Sequence, residues 1–326
     1  MKWLITGGCG FIGRMLIADL HAEGGHFIRV LDNLSEGTSD DLQGVARFTE
    51  LSSTSDFSDW TAHLSLLPGD ILESSDVAHA LTGTDVVIHL AANTGVPQSV
   101  ENPVKDCQTN VMGVLNMLEG CRAASVGRFV FASSGAPLGV QTPPLHEEMA
   151  PHPASPYGAS KLAGEGYCSA YYHCFGVETV VLRFGNVYGE GSGHKTSVVA
   201  KFIKQAMAGE RLEIYGDGTQ TRDFIHISDL VRAIRQAAQL PGIGGETFQI
   251  ATAFETTVAE MTEKLVNAMQ AEGMDKPDIF YGPTRDGDVA RNYSDTTKAQ
   301  QRLEWTPQIP LEDGLRRTVR FFNVHT

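Results

Sequence analysis

Short apolar runs alternate with amphipathic, helix-like stretches through the first two-thirds of the chain. The apolar runs predict strands at 2–6, 27–32, 64–67, 85–90, 128–132, 178–183 and about 246–250. The longest periodic stretches between them predict helices at 11–23, 104–124 and 156–175. Strands that are apolar almost throughout and alternate with helices are typical of a parallel sheet covered on both faces. The pattern therefore predicts an α/β fold with a doubly wound parallel sheet.

The alternation becomes irregular from about residue 184. Loops containing glycine and proline flank shorter helical patterns at 196–208, 257–272 and 311–322. This change predicts a smaller mixed α/β region at the C-terminal side, packed beside the sheet. The predicted boundaries are 1–183 for the sheet domain, with a returning segment at about 222–256, and 184–221 with 257–326 for the smaller region.

Composition and charge narrow the possible partners. The chain has 326 residues and a formal net charge of −14, which disfavours nucleic acid or an anionic membrane as the main partner. No stretch approaches the roughly 20 apolar residues of a membrane span. The 5 cysteines show no C-x-x-C pair and no zinc-ligand spacing, so we expect reduced thiols, no metal site and a cytoplasmic location.

The first predicted strand runs directly into a glycine-rich turn, "TGGCGFIG". Gly7, Gly10 and Gly13 lie between this strand and the next helix, where glycines permit a tight turn and close approach of a pyrophosphate to the helix N-terminus. Asp32 ends the second predicted strand, where an acid binds the adenosine ribose. Taken alone, Asp32 is better explained as a turn residue, and the glycines before it are what favour ribose binding. No base directly follows it to hold a 2′-phosphate, which favours NAD over NADP.

A candidate catalytic group comes from "YGASK". Tyr157 and Lys161 are four residues apart, which places them on one face of a helix. A cation close to a phenol lowers its pKa, and such a tyrosine acts as a general base. A tyrosine and a lysine at this spacing are also common in ordinary helix packing. A strand end carrying the hydroxyls of Ser133 and Ser134 lies upstream and favours the catalytic interpretation.

The spacing G-x-x-G-x-x-G and several later motifs carry a family resemblance. These are "GDI" (69–71), "HLAA" (89–92), "TNVMGVLNMLE" (109–119), "YGASK" (157–161), "RFGNVYG" (183–189), "LEIYGDGTQTRDFIHISDL" (212–230) and "RDGDVARNYSD" (285–295). The chain resembles the extended short-chain dehydrogenase/reductase family, and within its nucleotide-sugar epimerase/dehydratase branch the UDP-glucose 4-epimerase-like enzymes. The resemblance covers nearly the whole chain and implies a Rossmann-type sheet, NAD as cofactor, a UDP-sugar substrate and a homodimer paired through helices at about 100–122 and 156–175.

The resemblance also implies residue roles. Ser134, Tyr157 and Lys161 are the implied catalytic group, with Ser134 bonding a substrate oxygen and Ser133 structural. The implied cofactor-binding residues are Gly7, Gly10, Phe11, Ile12, Gly13, Asp32, Asn33, Asp70, Ile71, Leu90, Ala91, Ala92, Asn110 (as a supporting asparagine), Tyr157 and Lys161. The implied substrate-binding residues are Ser134, Asn186, Val198, Ile214, Tyr215, Arg222, Arg285, Asp288 and Asn292. Arg222 and Arg285 are expected to hold the diphosphate, which explains how an acidic protein binds a dianion.

The residues after Ser134 bear on the reaction. The related 4,6-dehydratases carry an Asp-Glu pair there, whereas this chain has Gly135 and Ala136, which transfer no protons. This absence favours NAD-dependent 4-epimerisation of a UDP-hexose through a 4-keto sugar, because epimerisation needs no further acid. A 4-ketoreductase or a dehydratase on the same scaffold, and an NAD-binding protein without catalysis, remain alternatives.

The identity of the sugar is left open by the sequence. Asn292 stands where hexose-restricted relatives carry a large aromatic residue, so an N-acetylated sugar remains a possible substrate, as does a uronic acid. Pro137 and Leu138 depart from the family pattern and are interpreted as loop packing.

Overall fold

The computed structural model describes residues 1–284 and 289–325 of the chain. Strands β1 to β14 are, in chain order, Lys2–Thr6, Phe27–Asp32, Thr49–Glu50, Leu64–Pro68, Val86–His89, Arg128–Ser134, Thr179–Phe184, Asn186–Tyr188, Leu212–Tyr215, Thr221–Arg222, Phe224–His226, Thr247–Ile250, Thr256–Thr257 and Ile279–Gly282. Helices α1 to α12 are Phe11–Glu23, Ser39–Gln43, Ser74–Leu81, Val96–Glu101, Pro103–Cys107, Gly113–Ala124, Pro156–Phe175, Val198–Met207, Ile227–Gln239, Val258–Ala271, Thr297–Arg302 and Leu311–His325. A π-helical turn, Gln108–Met112, joins α5 to α6, and a 3₁₀ turn, Ala136–Leu138, follows β6.

The main sheet confirms the predicted fold class. Its eight strands lie in the order β12-β7-β6-β5-β1-β2-β4-β3, and β1 pairs in parallel with β2 on one side and β5 on the other. The chain therefore reverses its direction of winding at β1. In such sheets ligands bind beyond the carboxyl ends of the strands at this switch point. Gly7 follows β1 there, and Leu90 follows β5.

The chain divides into two compact units. The first comprises 1–140, 147–183 and 233–248, and the second comprises 141–146, 184–232 and 249–326. The segment that returns to the first unit is thus shorter than the expected 222–256. Asp223 shows why, because its carboxylate accepts hydrogen bonds from the backbone of Thr252 at 2.7 Å and Ala253 at 3.0 Å, both within the second unit.

Each unit has its own apolar core. In the first unit, residues from the sheet and from α3, α6 and α7 pack together, with Leu4, Phe129 and Phe131 fully buried. In the second unit, α8, α10 and α12 bury Phe202, Leu265 and other side chains around β9 and β11. Among the described residues, no helix is both long enough and apolar enough to cross a membrane.

Candidate active site

The turn after β1 has the geometry of a phosphate-binding turn. Gly7 has φ = +67°, and a Cβ there would stand 2.8 Å from the backbone nitrogen of Ala91. A Cβ on Gly13 would stand 2.7 Å from the carbonyl oxygen of Gly7. Only glycine fits both positions, since either side chain would overlap backbone atoms. Gly10 caps α1 without a side chain, so the helix N-terminus carrying Phe11 and Ile12 stays accessible to an anion.

Asp32 is held with its carboxylate next to this turn. Its Oδ2 accepts the Cys9 N–H at 2.9 Å and its Oδ1 accepts the Leu34 N–H at 2.9 Å. Burial raises its pKa, and those hydrogen bonds oppose the rise. On the adenine side, Asn33 donates to Asp70 Oδ2 at 3.0 Å. These residues fit the ribose and adenine of NAD.

The segment after β5 is bonded back to β1. Leu90 N–H donates to the Thr6 carbonyl oxygen at 3.2 Å, and Ala91 N–H donates to the Thr6 hydroxyl at 3.2 Å. Leu90 and Ala91 therefore lie beside Gly7, and Ala92 follows them in the chain. Asn110, by contrast, is only 1% exposed, and its amide is engaged within the protein. The structure places it beneath the site, and the sequence prediction of a supporting role fits this placement better than direct cofactor contact.

Tyr157 and Lys161 lie on the first turns of α7. Ser155 begins this helix by accepting the Gly158 N–H on its hydroxyl at 3.1 Å. Lys161 Nζ lies 5.9 Å from the centre of the Tyr157 ring and donates to the Ala132 carbonyl oxygen at 2.8 Å. Since Ala132 is on β6, this bond ties the catalytic helix to the strand that ends at Ser134.

The prediction of a lowered pKa for Tyr157 is wrong. Burial raises the pKa of Tyr157 to about 12, although a hydrogen bond with Ser134 opposes the rise. Burial also lowers the pKa of Lys161 to about 8. The prediction from the sequence took account only of the attraction between the Lys161 cation and the Tyr157 phenolate. Removing both groups from water disfavours their charged forms, and here that cost is the larger effect.

Ser133 has the structural environment that was expected. Its hydroxyl donates to Glu165 Oε1 at 2.5 Å, and Arg183 forms a two-pronged pair with the same carboxylate at 2.9 and 2.7 Å. All three side chains are buried. The network joins β6, α7 and β7 and leaves Ser134 as the hydroxyl at the strand end.

The residues after Ser134 divide into an open part and a packed part. A Cβ on Gly135 would meet no atom within 4 Å, and Ala136 is half-buried. Leu138 is 0% exposed and its carbonyl oxygen accepts the His152 N–H at 3.3 Å. The departures at Pro137 and Leu138 therefore fill the core behind the site.

Gly139→Ala should cost more than about 2 kcal/mol of the free energy of unfolding, because φ at Gly139 is +66° and a Cβ would overlap the His152 carbonyl oxygen. Urea denaturation measures the change. Gly135→Ala is the matched control, since the site has φ = −68° and open space. It should stay within about 0.5 kcal/mol of wild type. Equal stabilities for the two variants would contradict the packing described here.

The second unit contains a cavity of about 330 Å³. Five of the predicted substrate residues line it: Asn186, Val198, Ile214, Tyr215 and Arg222. Lys201, which was not predicted from the sequence, also lines the cavity, with its Nζ 5.1 Å from the centre of the Tyr215 ring. Its position three residues after Val198, on the same face of α8, was the available signal.

The other predicted substrate residues are placed differently. Arg285 and Asp288 lie outside the described residues. Asn292 does not line the cavity, and its backbone N–H donates to the Thr221 hydroxyl at 3.3 Å. Arg222 follows Thr221 on β10. Its Nη1 donates to the carbonyl oxygens of Thr221 and Val289, each at 2.7 Å.

The fold and the site together define a class. A parallel sheet with a glycine turn at its switch point, an acid at the end of β2 and a serine–tyrosine–lysine group is the arrangement of an NAD-dependent enzyme of the short-chain dehydrogenase/reductase type. The model for the NAD dependent epimerase/dehydratase family matches residues 3–251. The chain belongs to this family.

Individual relatives agree with this assignment. The UDP-glucose 4-epimerase of Mycolicibacterium smegmatis is 35% identical over 333 residues, covering 99% of this chain and 98% of the relative. The structure of UDP-glucose 4-epimerase from Thermotoga maritima with UDP-glucose has a TM-score of 0.86 and 34% identity, covering 99% of both chains. UDP-glucuronic acid 4-epimerase from Bacillus cereus, solved with UDP-glucuronic acid and NAD, has a TM-score of 0.87 and 28% identity, again covering 99% of both chains. The predicted family, fold class and NAD dependence are confirmed.

Proposed function

We propose that this protein is an NAD-dependent 4-epimerase acting on a UDP-hexose. The observation that carries the proposal is the site edge after β6. Ser134 and Tyr157 share a hydrogen bond there, and Lys161 is bonded beneath them. The two positions that follow Ser134 bear no acid. Relatives with the same overall structure include 4-epimerases of UDP-glucose and UDP-glucuronic acid, as well as a dTDP-glucose 4,6-dehydratase.

The side chains of the first unit supply the proton transfer. Tyr157 takes the proton of the sugar 4-hydroxyl. It returns this proton after the 4-keto sugar has rotated to present its opposite face. Ser134 holds the same oxygen by a hydrogen bond, and Lys161 favours the phenolate. NAD held along the glycine turn would supply reversible hydride transfer at the sugar C4, and its positively charged ring would lower the pKa of a nearby phenol.

Elimination of water needs an additional proton donor and acceptor. Gly135 and Ala136 occupy the positions where the related dehydratases carry these acids, and neither has a titratable side chain. A 4-keto sugar held beside them therefore returns to an alcohol. Epimerisation is therefore favoured over dehydration.

The cavity of the second unit suits the nucleotide. Val198 and Ile214 provide apolar surface, while Asn186, Lys201 and Arg222 provide polar contacts. A guanidinium fork matches diphosphate oxygens. Cationic side chains at one cavity reconcile a net charge of −14 with an anionic substrate.

The function is tested by incubating the purified protein with NAD and one substrate at a time. The substrates are UDP-glucose, UDP-N-acetylglucosamine and UDP-glucuronate, and the products are separated chromatographically. Conversion of one of them to its C4 epimer supports the proposal and identifies the sugar. Loss of water or carbon dioxide, or a stoichiometric demand for fresh reduced cofactor, would overturn it.

Arg222→Gln should weaken UDP binding by about 10- to 100-fold, because it removes charged hydrogen bonds to the diphosphate. Isothermal titration with UDP measures this affinity. Arg211→Gln is a suitable control, since Arg211 is exposed and lies over the Phe280 ring in the same unit. An unchanged affinity in Arg222→Gln would place the diphosphate elsewhere.

We also propose a cytoplasmic homodimer. Its support is an exposed apolar strip on α4 to α6 of the first unit, where Val100 is 63%, Val104 65% and Met112 48% exposed. Burying such a strip against a second copy is favourable. The cytoplasmic location is supported by a different observation, because all 5 cysteines are free thiols, as in a reducing compartment. Light scattering tests the dimer, and a monomeric mass at micromolar concentration would refute it.

A further inference from the structure

Asp106 is a buried carboxylate near the catalytic group that has no role in the mechanism above. It lies on α5 and is 1% exposed. Its Oδ1 accepts the Asn110 amide at 3.0 Å and the Asn93 amide at 3.3 Å. Within residues 1–284 and 289–325, its Oδ2 has no hydrogen-bond partner. An acid buried this completely is costly unless something compensates its charge.

Asn110 connects Asp106 to two parts of the site. Its Nδ2 also donates to the Ser160 hydroxyl at 3.1 Å and to the Asn93 carbonyl oxygen at 2.9 Å, and its Oδ1 accepts the Asn93 N–H at 2.8 Å. Asn93 belongs to the segment that follows Leu90–Ala92. Ser160 lies on α7 between Tyr157 and Lys161, and its hydroxyl donates to the Tyr157 carbonyl oxygen at 3.0 Å.

The backbone carrying Asn110 is itself unusual. Gln108–Met112 forms a π-helical turn between two α-helices, and such turns occur frequently at functional sites. The extra residue in the turn rotates the helix that follows it relative to the preceding one. Asp106 and Asn110 meet through this turn, on the side that contacts α7.

We propose that Asp106 is a positioning residue for the catalytic helix. Its carboxylate fixes the Asn110 amide, which holds the cofactor-side segment at Asn93 and the α7 residue Ser160. Its negative charge compensates the buried ammonium of Lys161 and keeps that lysine protonated beside Tyr157. The kinetic test of this inference rests on the proposed function, because it needs an active enzyme. The stability test needs no substrate and does not depend on that function.

The electrostatics agree with this geometry. The charge of Asp106 raises the pKa of Lys161 and so opposes the effect of burial, and it also raises the pKa of Tyr157. Other titratable groups act on Lys161 from the neighbouring elements. They are Glu165 and Cys168 on α7, which also raise the pKa of Lys161, while His89 on β5 and the Tyr157 ring are its other titratable neighbours. Of the two carboxylates, Glu165 is already paired with Arg183, whereas Asp106 Oδ2 has no hydrogen-bond partner in the part of the chain that the structure describes.

The kinetic test is the pH profile of kcat/KM for Asp106→Asn, which keeps the shape and removes the charge. Without that charge Lys161 loses its proton at lower pH, so the high-pH limb should move down by about 1 unit. Asp106→Glu, which keeps the charge, should leave the limb in place, and so should Asp85→Asn at an exposed site. A lower kcat with an unmoved limb in Asp106→Asn would overturn the proposal. An inactive wild type would count against the proposed function only.

A thermal-stability cycle tests the inference without substrate. The four proteins are the wild type, Asp106→Asn, Lys161→Met and the double variant. If Asp106 compensates Lys161, removing the lysine should raise Tm more in the Asp106→Asn background than in the wild-type background. The cycle remains informative when Asp106→Asn is poorly folded, because the double variant should recover stability. Equal shifts in the two backgrounds, or no recovery, would overturn the proposal.

Discussion

Tyr157→Phe should lower kcat by about a thousandfold while NAD and UDP binding stay close to wild type. The Tyr157 phenol shares a hydrogen bond with Ser134 and lies beside Lys161. A phenylalanine keeps the ring packing at this half-buried position and removes only the proton acceptor. The loss should therefore be confined to turnover.

The measurement pairs a C4-epimer assay with titration of NAD and UDP. Tyr172→Phe is the matched control, because Tyr172 lies on the same helix, α7, and packs against Gly244 and Gly245, away from the catalytic group. It should retain full turnover. Activity in Tyr157→Phe within tenfold of wild type would remove Tyr157 as the base. Loss of NAD binding would show instead that the variant disturbs the whole site.

The strength of a sequence pattern decided how well each element could be predicted. β1 and β2 are found at the predicted residues, because continuous apolar runs bounded by glycine or acidic turns leave little choice of register. The predicted helix 104–124 is instead divided by the π-helical turn at Gln108–Met112. Hydrophobic periodicity does not report such a turn, since one extra backbone residue barely changes the side-chain pattern. The short helix α3 was missed for lack of length.

Candidate site residues could be predicted where a backbone requirement shows in the sequence. Gly7 and Gly13 are such positions, because any side chain there meets backbone atoms. Val198 and Ile214 came from family resemblance, and local physics alone assigns them only to an apolar core. Asp106 was missed, although it stands four residues before Asn110, because burial of a lone acid depends on tertiary packing.

The prediction that Lys161 lowers the pKa of Tyr157 was wrong for a related reason. The i, i+4 spacing gives the distance between Tyr157 and Lys161 and says nothing of their burial. In the folded protein both groups are removed from water, so each is shifted towards its neutral form. Catalytic lysines in such surroundings reduce stability in return for function.

Lys161→Met should therefore abolish turnover and yet stabilise the fold by about 2 kcal/mol at pH 7. Burial lowers the pKa of Lys161 from 10.5 to about 8, which corresponds to a cost of about 3 kcal/mol for the charged form. Losing the hydrogen bond to the Ala132 carbonyl oxygen offsets about 1 kcal/mol. A methionine of similar length fills the same space without the charge.

The pH dependence of this stabilisation follows from the sign of the shift. Below about pH 8 the lysine is protonated in both the folded and the unfolded chain, so wild type bears the full cost of the buried charge. As pH rises from about 8 to about 10.5, the folded protein releases the proton first and the cost is relieved. Urea denaturation at pH 7 and pH 9.5 should therefore show a larger gain in the free energy of unfolding for Lys161→Met at pH 7.

Lys276→Met, at an exposed position, is the control and should change stability by less than about 0.5 kcal/mol at both pH values. A Lys161→Met protein less stable than wild type at pH 7 would mean that the bond to Ala132 and the surrounding carboxylates outweigh the burial of the ammonium.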